Sequence, residues 1–251
     1  IVFFSLLFGL ALTVSGEPGA KVAQGFKSLN HVIIKLVLII IKLAPYGVFC
    51  LLAVQFSKFG WAGIVKVMGY FSVVILVLFL QLVVVYSGFL VFIARLSPFR
   101  FFKKMYSAML FAFSVSSSSA SIPIVLNTVK KKLGVDNKVA SFVIPVGATI
   151  NMDGTAIMQG VATVFIANVY GIHLGFSGCL TVVLMATLAS VGTAAVPSVG
   201  LITLAMVLEQ VGVPVQGIAL IFGIDRILDM LRTAVNVSGD AMVACLVGRS
   251  E

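Results

Sequence analysis

Between Val67 and Ala94 the chain reads VMGYFSVVILVLFLQLVVVYSGFLVFIA, 28 residues without one Asp, Glu, Lys or Arg. A helix needs about 20 apolar residues to cross the hydrocarbon of a bilayer. Comparable runs occupy Ile1–Gly16 and about His31–Phe56, so three ordinary spans are expected in the first hundred residues. The chain is 61% hydrophobic and only 10% charged, where soluble domains carry about 25% charge. In lipid every backbone N–H and C=O must be satisfied within the spanning segment or a closed barrel. With runs of this length, the fold class is an all-α, multi-pass membrane protein.

The first residue is Ile1, already inside an apolar run with no basic leader and no small-residue cleavage site, so no signal peptide is expected. The chain reads as the C-terminal part of something longer. Cys50, Cys179 and Cys245 stand singly in apolar surroundings and are expected to be buried packing thiols; His31 and His173 have no second ligand in range. The net charge of +9 does not point to nucleic acid. Lys21, Lys27, Arg95, Arg100, Lys103, Lys104, Lys130, Lys131, Lys132, Lys138 and Arg249 fall in short connections or at the terminus, where basic residues mark the cytoplasmic side.

Three later segments are interrupted. Met105–Val129 carries SSSSAS (Ser116–Ser121) in its middle, with Pro123 just beyond. As a full crossing it would put the basic clusters Arg95–Lys104 and Lys130–Lys138 on opposite faces. As a re-entrant hairpin it keeps both on one face, leaving only Lys58 and Lys66 on the other. Val139–Tyr170 is too long for one simple span and breaks at NMDGT (Asn151–Thr155), where Asn, Asp and Gly are poor helix formers. Phe176–Val211 holds SVGTAAVPSVG (Ser190–Gly200), a second small-residue tip entering from the other side. Hairpin, span, hairpin, span is the layout of an inverted repeat, which in secondary transporters sets the binding site near the midplane.

The final apolar helix, Gly223–Gly248, is the most polar. Asp225, Arg226, Asp229, Arg232 and Asp240 interrupt it, and a charge at mid-bilayer costs about 2.5–3.5 kcal/mol on insertion scales. At about 100° per residue, Asp225, Asp229, Arg232, Thr233, Asn236 and Asp240 share an arc of about 100°. Ile227, Met230, Leu231, Ala234, Val235 and Val237 form the opposite, packing side. Internal salt bridges account for some of these charges, but not for Thr233 and Asn236 on the same face. Asp229 and Arg232 present an anion and a cation about one turn apart, complementary to an α-ammonium and a side-chain carboxylate. An α-carboxylate fits backbone N–H groups at the hairpin tip near Ser118. Asp153, Asn151, Asn236 and Asp240 offer hard oxygens suited to an alkali cation.

These stretches resemble the glutamate transporter family, the dicarboxylate/amino acid:cation symporters. The resemblance rests on SSSSASIP, PVGATINMDGTA, VGTAAVPSVG and DRILDMLRTAVNVSGD, in that order, and covers essentially the whole chain. It implies a homotrimer in the cell (inner) membrane, each protomer holding a static scaffold and a transport domain that moves like an elevator. Residues 1–98 would be the C-terminal part of the scaffold and trimerisation domain, residues 99–251 the transport domain. The chain would begin at the family's fourth helix.

By position, the resemblance implies a substrate site of Ser118, Thr155, Val196, Gly200, Asp229, Arg232, Thr233 and Asn236. One sodium site would use Gly147, Asn151, Asn236 and Asp240, a second the backbone around Thr149, Ser190, Val191 and Thr193. A third would use Asn151 and Asp153 with groups from a helix preceding this stretch. Other matched positions refine the expectation. The dicarboxylate branch lacks an acid at the position of Asp229, and neutral amino acid carriers of animals lack the arginine at Arg232. Gln159 stands where animal glutamate carriers have a glutamate linked to proton and potassium coupling. Ser116 stands where some archaeal relatives carry an arginine, with Arg226 as the alternative placement of that charge. Ala195 and Ser198 replace glycines found in some relatives.

The implied function is sodium-coupled symport of aspartate or glutamate, with membrane lipid as surroundings, no enzymatic cofactor and no nucleic acid. Alternatives are a proton-coupled glutamate or C4-dicarboxylate symporter, a passive anion pathway and, distantly, an intramembrane aspartyl protease using Asp153 and Asp240.

Overall fold

The computed structural model describes residues 2–41, 44–193 and 195–250, with side chains described throughout 65–193 and 195–248 and at scattered positions before them. Every regular element among the described residues is helical. In order these are α1 (Val2–Val14), α2 (Glu17–Ile41), α3 (Ala44–Leu80), a π-helical segment (Gln81–Tyr86) and α4 (Ser87–Phe92). They are followed by α5 (Pro98–Val115), α6 (Ser118–Thr128), a π turn (Val129–Leu133), α7 (Asn137–Ile150) and α8 (Asp153–Val169). The chain closes with α9 (Phe176–Val191), α10 (Val199–Gln210), a 3₁₀ turn (Val215–Gly217) and α11 (Ile218–Ser250).

Packing divides the chain into two compact units, Ile1–Val54 and Gln55–Glu251. In the first, α1 and α2 are joined at Gly16, whose φ of +64° suits a residue without Cβ. Gly19 lies so close to the Leu12 carbonyl that any side chain there would collide with it. Phe8 stacks on Phe4 and meets Phe26 edge-on, at 5.7 Å between centroids in both cases.

The second unit is built around α11, which packs on α5, α6, α7, α8 and α10. Small residues permit this crowding: Ala108 and Ala112 on α5 are fully buried. The helix pairs α5–α6 and α9–α10 each fold back on themselves through short tips. The break in the segment between them falls at Asn151–Met152, between α7 and α8.

The larger compact unit begins at Gln55. Three features differ from expectation. The connection expected near residues 57–66 is helical; α2 instead ends at Ile41 and α3 opens at Ala44 with Pro45 in its first turn, where a missing N–H is harmless. Cys50 and Cys179 are exposed, and only Cys245 is buried. On helices apolar on all sides, hydrophobic neighbours in sequence do not reveal which face turns inward. For the same reason Ile227, assigned to the packing side of α11, is 51% exposed, while from Val235 to Met242 the helix is buried on every side.

Residues Val65–Phe92 form a helix long and apolar enough to cross a membrane, with mean hydropathy 2.7 and little of it buried. Large apolar side chains such as Phe92, Phe142 and Phe176 are also widely exposed, the opposite of a water-soluble surface.

Candidate functional site

Three chain interruptions converge on the middle of α11. Ser116 ends α5 in the left-handed region (φ 53°), and Ser117 caps α6 by accepting from the Ala120 N–H at 3.2 Å. The same Ser117 hydroxyl donates to the Ala195 carbonyl at 2.7 Å, so the two tips meet. In the second tip Ser198 is left-handed (φ 62°), and its N–H donates to Asp229 Oδ2 at 3.0 Å. The broken helix arrives from the side. Asn236 Oδ1 accepts from the Gly154 N–H at 2.8 Å, satisfying one of the free donors at the start of α8. A Cβ on Gly154 would press on the Arg232 backbone, so glycine permits the abutment.

Ser118, Thr155, Val196, Gly200, Asp229, Thr233 and Asn236 line one small, mainly polar cavity. Its volume of about 20 Å³ is room for one water, so the tips are shut around it. Arg232 borders it from behind Gly200, where a Cβ would lie 3.1 Å from Nη1. All eight expected substrate residues are therefore brought together. Ser116, Met152, Thr193 and Ala195 also line the cavity, none of them among the residues expected to bind substrate. Met152 receives the Thr155 hydroxyl and the Asn236 amide on its sulfur, each at 3.8 Å. Its place inside NMDGT was the only available signal.

The Arg232 guanidinium is 1% exposed and is held by two acids of its own helix. Nη2 donates to Asp225 Oδ1 at 2.8 Å and to Asp229 Oδ1 at 3.1 Å. Nε and Nη1 have no hydrogen-bond partner among the described residues. Buried donors without acceptors are expensive, and two N–H groups of a guanidinium match a carboxylate in geometry and charge. Arg226 is partly buried, and among the described residues neither its Nη1 nor the Ser116 hydroxyl has a hydrogen-bond partner.

The acids and amides expected to hold cations form a second cluster beside the first. Asp240 is 1% exposed, and its Oδ1 accepts from Asn151 Nδ2 at 3.0 Å. A Cβ on Gly147 would stand 2.6 Å from that same oxygen. Asp153 Oδ2 accepts from Tyr86 Oη at 2.8 Å and from Gln81 Nε2 at 3.1 Å. Among the described residues neither carboxylate pairs with Lys, Arg or His. A buried carboxylate without a counter-charge is costly, so a bare cation fits this donor set. The remaining four residues are less tightly gathered. Thr149 is exposed and donates to the Pro145 carbonyl, while Ser190 donates to the Thr187 carbonyl. Val191 ends α9, and Thr193 donates to the Ala189 carbonyl and lies 2.9 Å from the Thr203 hydroxyl. Helix α7 packs on α9, but Thr149 is exposed, and Thr193 lies beyond the end of α9.

Gln159, fully buried, donates to Thr203 Oγ1 at 2.7 Å and to the Gly200 carbonyl at 3.3 Å, tying α8 to the first turn of α10. A much larger concavity of about 850 Å³, lined by α3, α8 and α9, is open and almost wholly apolar and holds none of these residues. It suits chains or helices, not a charged solute. As for paired acids of a protease, Asp153 and Asp240 bond different partners, and among the described residues no hydrogen bond joins them.

The sequence model of the sodium:dicarboxylate symporter family matches residues 1–250. The chain belongs to that family. It is similar to an excitatory amino acid transporter of Caenorhabditis elegans, 39% identical over 98% of this chain and 50% of the relative. It is also similar to the proton/sodium-glutamate symport protein of Bacillus subtilis (strain 168), 38% identical over 100% of this chain and 58% of the relative. Human excitatory amino acid transporter 1 is 38% identical over 98% of this chain and 46% of its own length. The chain thus spans about half the length of these curated relatives. Membership of a symporter family makes this an integral membrane protein and accounts for its exposed apolar helices.

Proposed function

We propose that this chain forms the substrate- and ion-binding part of a sodium-coupled symporter for acidic amino acids, aspartate or glutamate. One observation carries the reading. Buried Arg232 is anchored through Nη2 to Asp225 and Asp229, leaving Nε and Nη1 for an incoming carboxylate. Asp229, one turn away, supplies an anion for an α-ammonium, with Thr233 and Asn236 beside it. The Ser118 end of α6 offers backbone N–H groups to the α-carboxylate. Asp240 and Asn151, with the carbonyls of Gly147 and Asn236, would hold one sodium ion. Asn151 and Asp153 would contribute to another, and Thr149, Ser190, Val191 and Thr193 to a third.

In this reading α5–α6 and α9–α10 are re-entrant hairpins opening to opposite faces of the inner membrane, and the second tip is the gate. The body from Gln55 onward would carry the site in an elevator movement. The mobile part would then begin earlier than residue 99, a reading supported by the hydrogen bonds from Gln81 and Tyr86 to Asp153. Residues 1–54 would belong to the static scaffold of a homotrimer.

The test is calorimetric binding of aspartate, glutamate, serine and succinate to purified protein, with and without sodium. Aspartate or glutamate binding that requires sodium, with serine and succinate weak, is expected. Uptake indifferent to sodium but abolished when the proton gradient collapses would instead favour a proton-coupled symporter. Succinate preferred over both amino acids would favour a C4-dicarboxylate carrier.

A further inference from the structure

The uncharged run Val67–Ala94 contains one irregularity, the π-helical segment Gln81–Tyr86. Both polar ends of that segment bond the same atom, Asp153 Oδ2, at 3.1 and 2.8 Å. In a regular α-helix residues five apart point about 140° away from each other. A π turn closes its hydrogen bond five residues on, so Gln81 and Tyr86 come one above the other. The irregular turn is thus what allows two side chains of one helix to share one carboxylate oxygen. Tyr86 is 1% exposed. Its hydroxyl also lies against Gly239, where a Cβ would approach it to 2.6 Å and would meet Asn151 Nδ2 at the same distance. The Tyr86–Asp153 pair and the Asn151–Asp240 pair therefore both pack against the same α-carbon of α11.

We infer that Gln81 and Tyr86 are positioning residues for the cation site: the π segment fixes the Asp153 carboxylate so that Oδ1 is presented for coordination. This rests on the proposed reading of Asp153 as a cation ligand. Both donors fall on Oδ2, and Oδ1 takes no hydrogen bond among the described residues. A carboxylate held by two donors on one oxygen cannot rotate freely, and a ligand locked in place loses less freedom on binding. Supporting partners of metal ligands commonly matter tenfold or more to affinity.

The experiment is titration of purified protein with sodium chloride in the absence of amino acid. It is read by calorimetry and by thermal stabilisation for the unchanged protein, Tyr86→Phe, Gln81→Met, the double variant and Asp153→Asn. Tyr86→Phe and Gln81→Met are each expected to raise the sodium Kd about tenfold, and the double variant further, with aspartate affinity at saturating sodium unchanged. A merely structural role would lower the sodium-free melting temperature and leave the sodium Kd where it was, which overturns the inference. Asp153→Asn separates the two levels. If it binds sodium normally, the ligand reading itself fails. If it binds weakly while the Phe and Met variants bind normally, only the positioning role fails.

Discussion

The Ser198 N–H and the Asp229 carboxylate meet at 3.0 Å, so the second tip is fastened by the acid proposed to receive the substrate ammonium. Opening the tip and binding an amine then draw on the same oxygen. Asp229→Asn is expected to weaken aspartate binding by about 10- to 100-fold, the usual worth of a charge-assisted hydrogen bond. Calorimetry against aspartate and succinate checks this; an equal loss for both ligands would argue against an ammonium contact.

Arg232 and Asp225 form a buried pair, so their losses should not add. Arg232→Ala leaves Asp225 uncompensated and is expected to cost about 3–5 kcal/mol of stability besides abolishing acidic amino acid binding. Adding Asp225→Asn should restore much of the stability and none of the binding. Thermal melts in detergent and equilibrium binding separate the two effects, and full additivity would contradict the pairing.

Gly147→Ala brings a methyl group against Asp240 Oδ1, at 2.6 Å before adjustment. The expected result is a stability loss of about 1–3 kcal/mol from overpacking and a marked rise in the sodium concentration needed for half-maximal aspartate binding. A variant with unchanged sodium dependence would remove Asp240 from the cation site.

Gln159→Leu removes both ties from α8 to the start of α10 and leaves the Gly200 carbonyl and Thr203 without that donor. About 1–3 kcal/mol of stability should be lost, together with faster release of bound aspartate in stopped-flow measurements. Release at the original rate would show that this contact does not hold the tip shut.

The site was more legible than the frame around it. Asp229, Arg232, Thr233 and Asn236 announce themselves because charge and amide groups are conspicuous in an apolar helix. The breaks at Ser116, Asn151 and Ser198 are marked by residues that stop helices. Inward and outward faces were not legible where everything is apolar, which is why Cys179 and Ile227 are exposed against expectation. The π segment left no trace either, since LVVV between Gln81 and Tyr86 reads as ordinary helix. Only tertiary contact with Asp153 distinguishes those two residues.

Both acids that neutralise Arg232 lie on α11 itself, three and seven residues earlier. They are therefore translated before the arginine, and all three come into register as soon as two turns have coiled. The helix can enter the bilayer with its cation already compensated, whether or not the hairpins translated before it have yet closed around it. The arginine proposed to select the substrate thus carries its own compensation through membrane assembly, supplied by the helix it stands on.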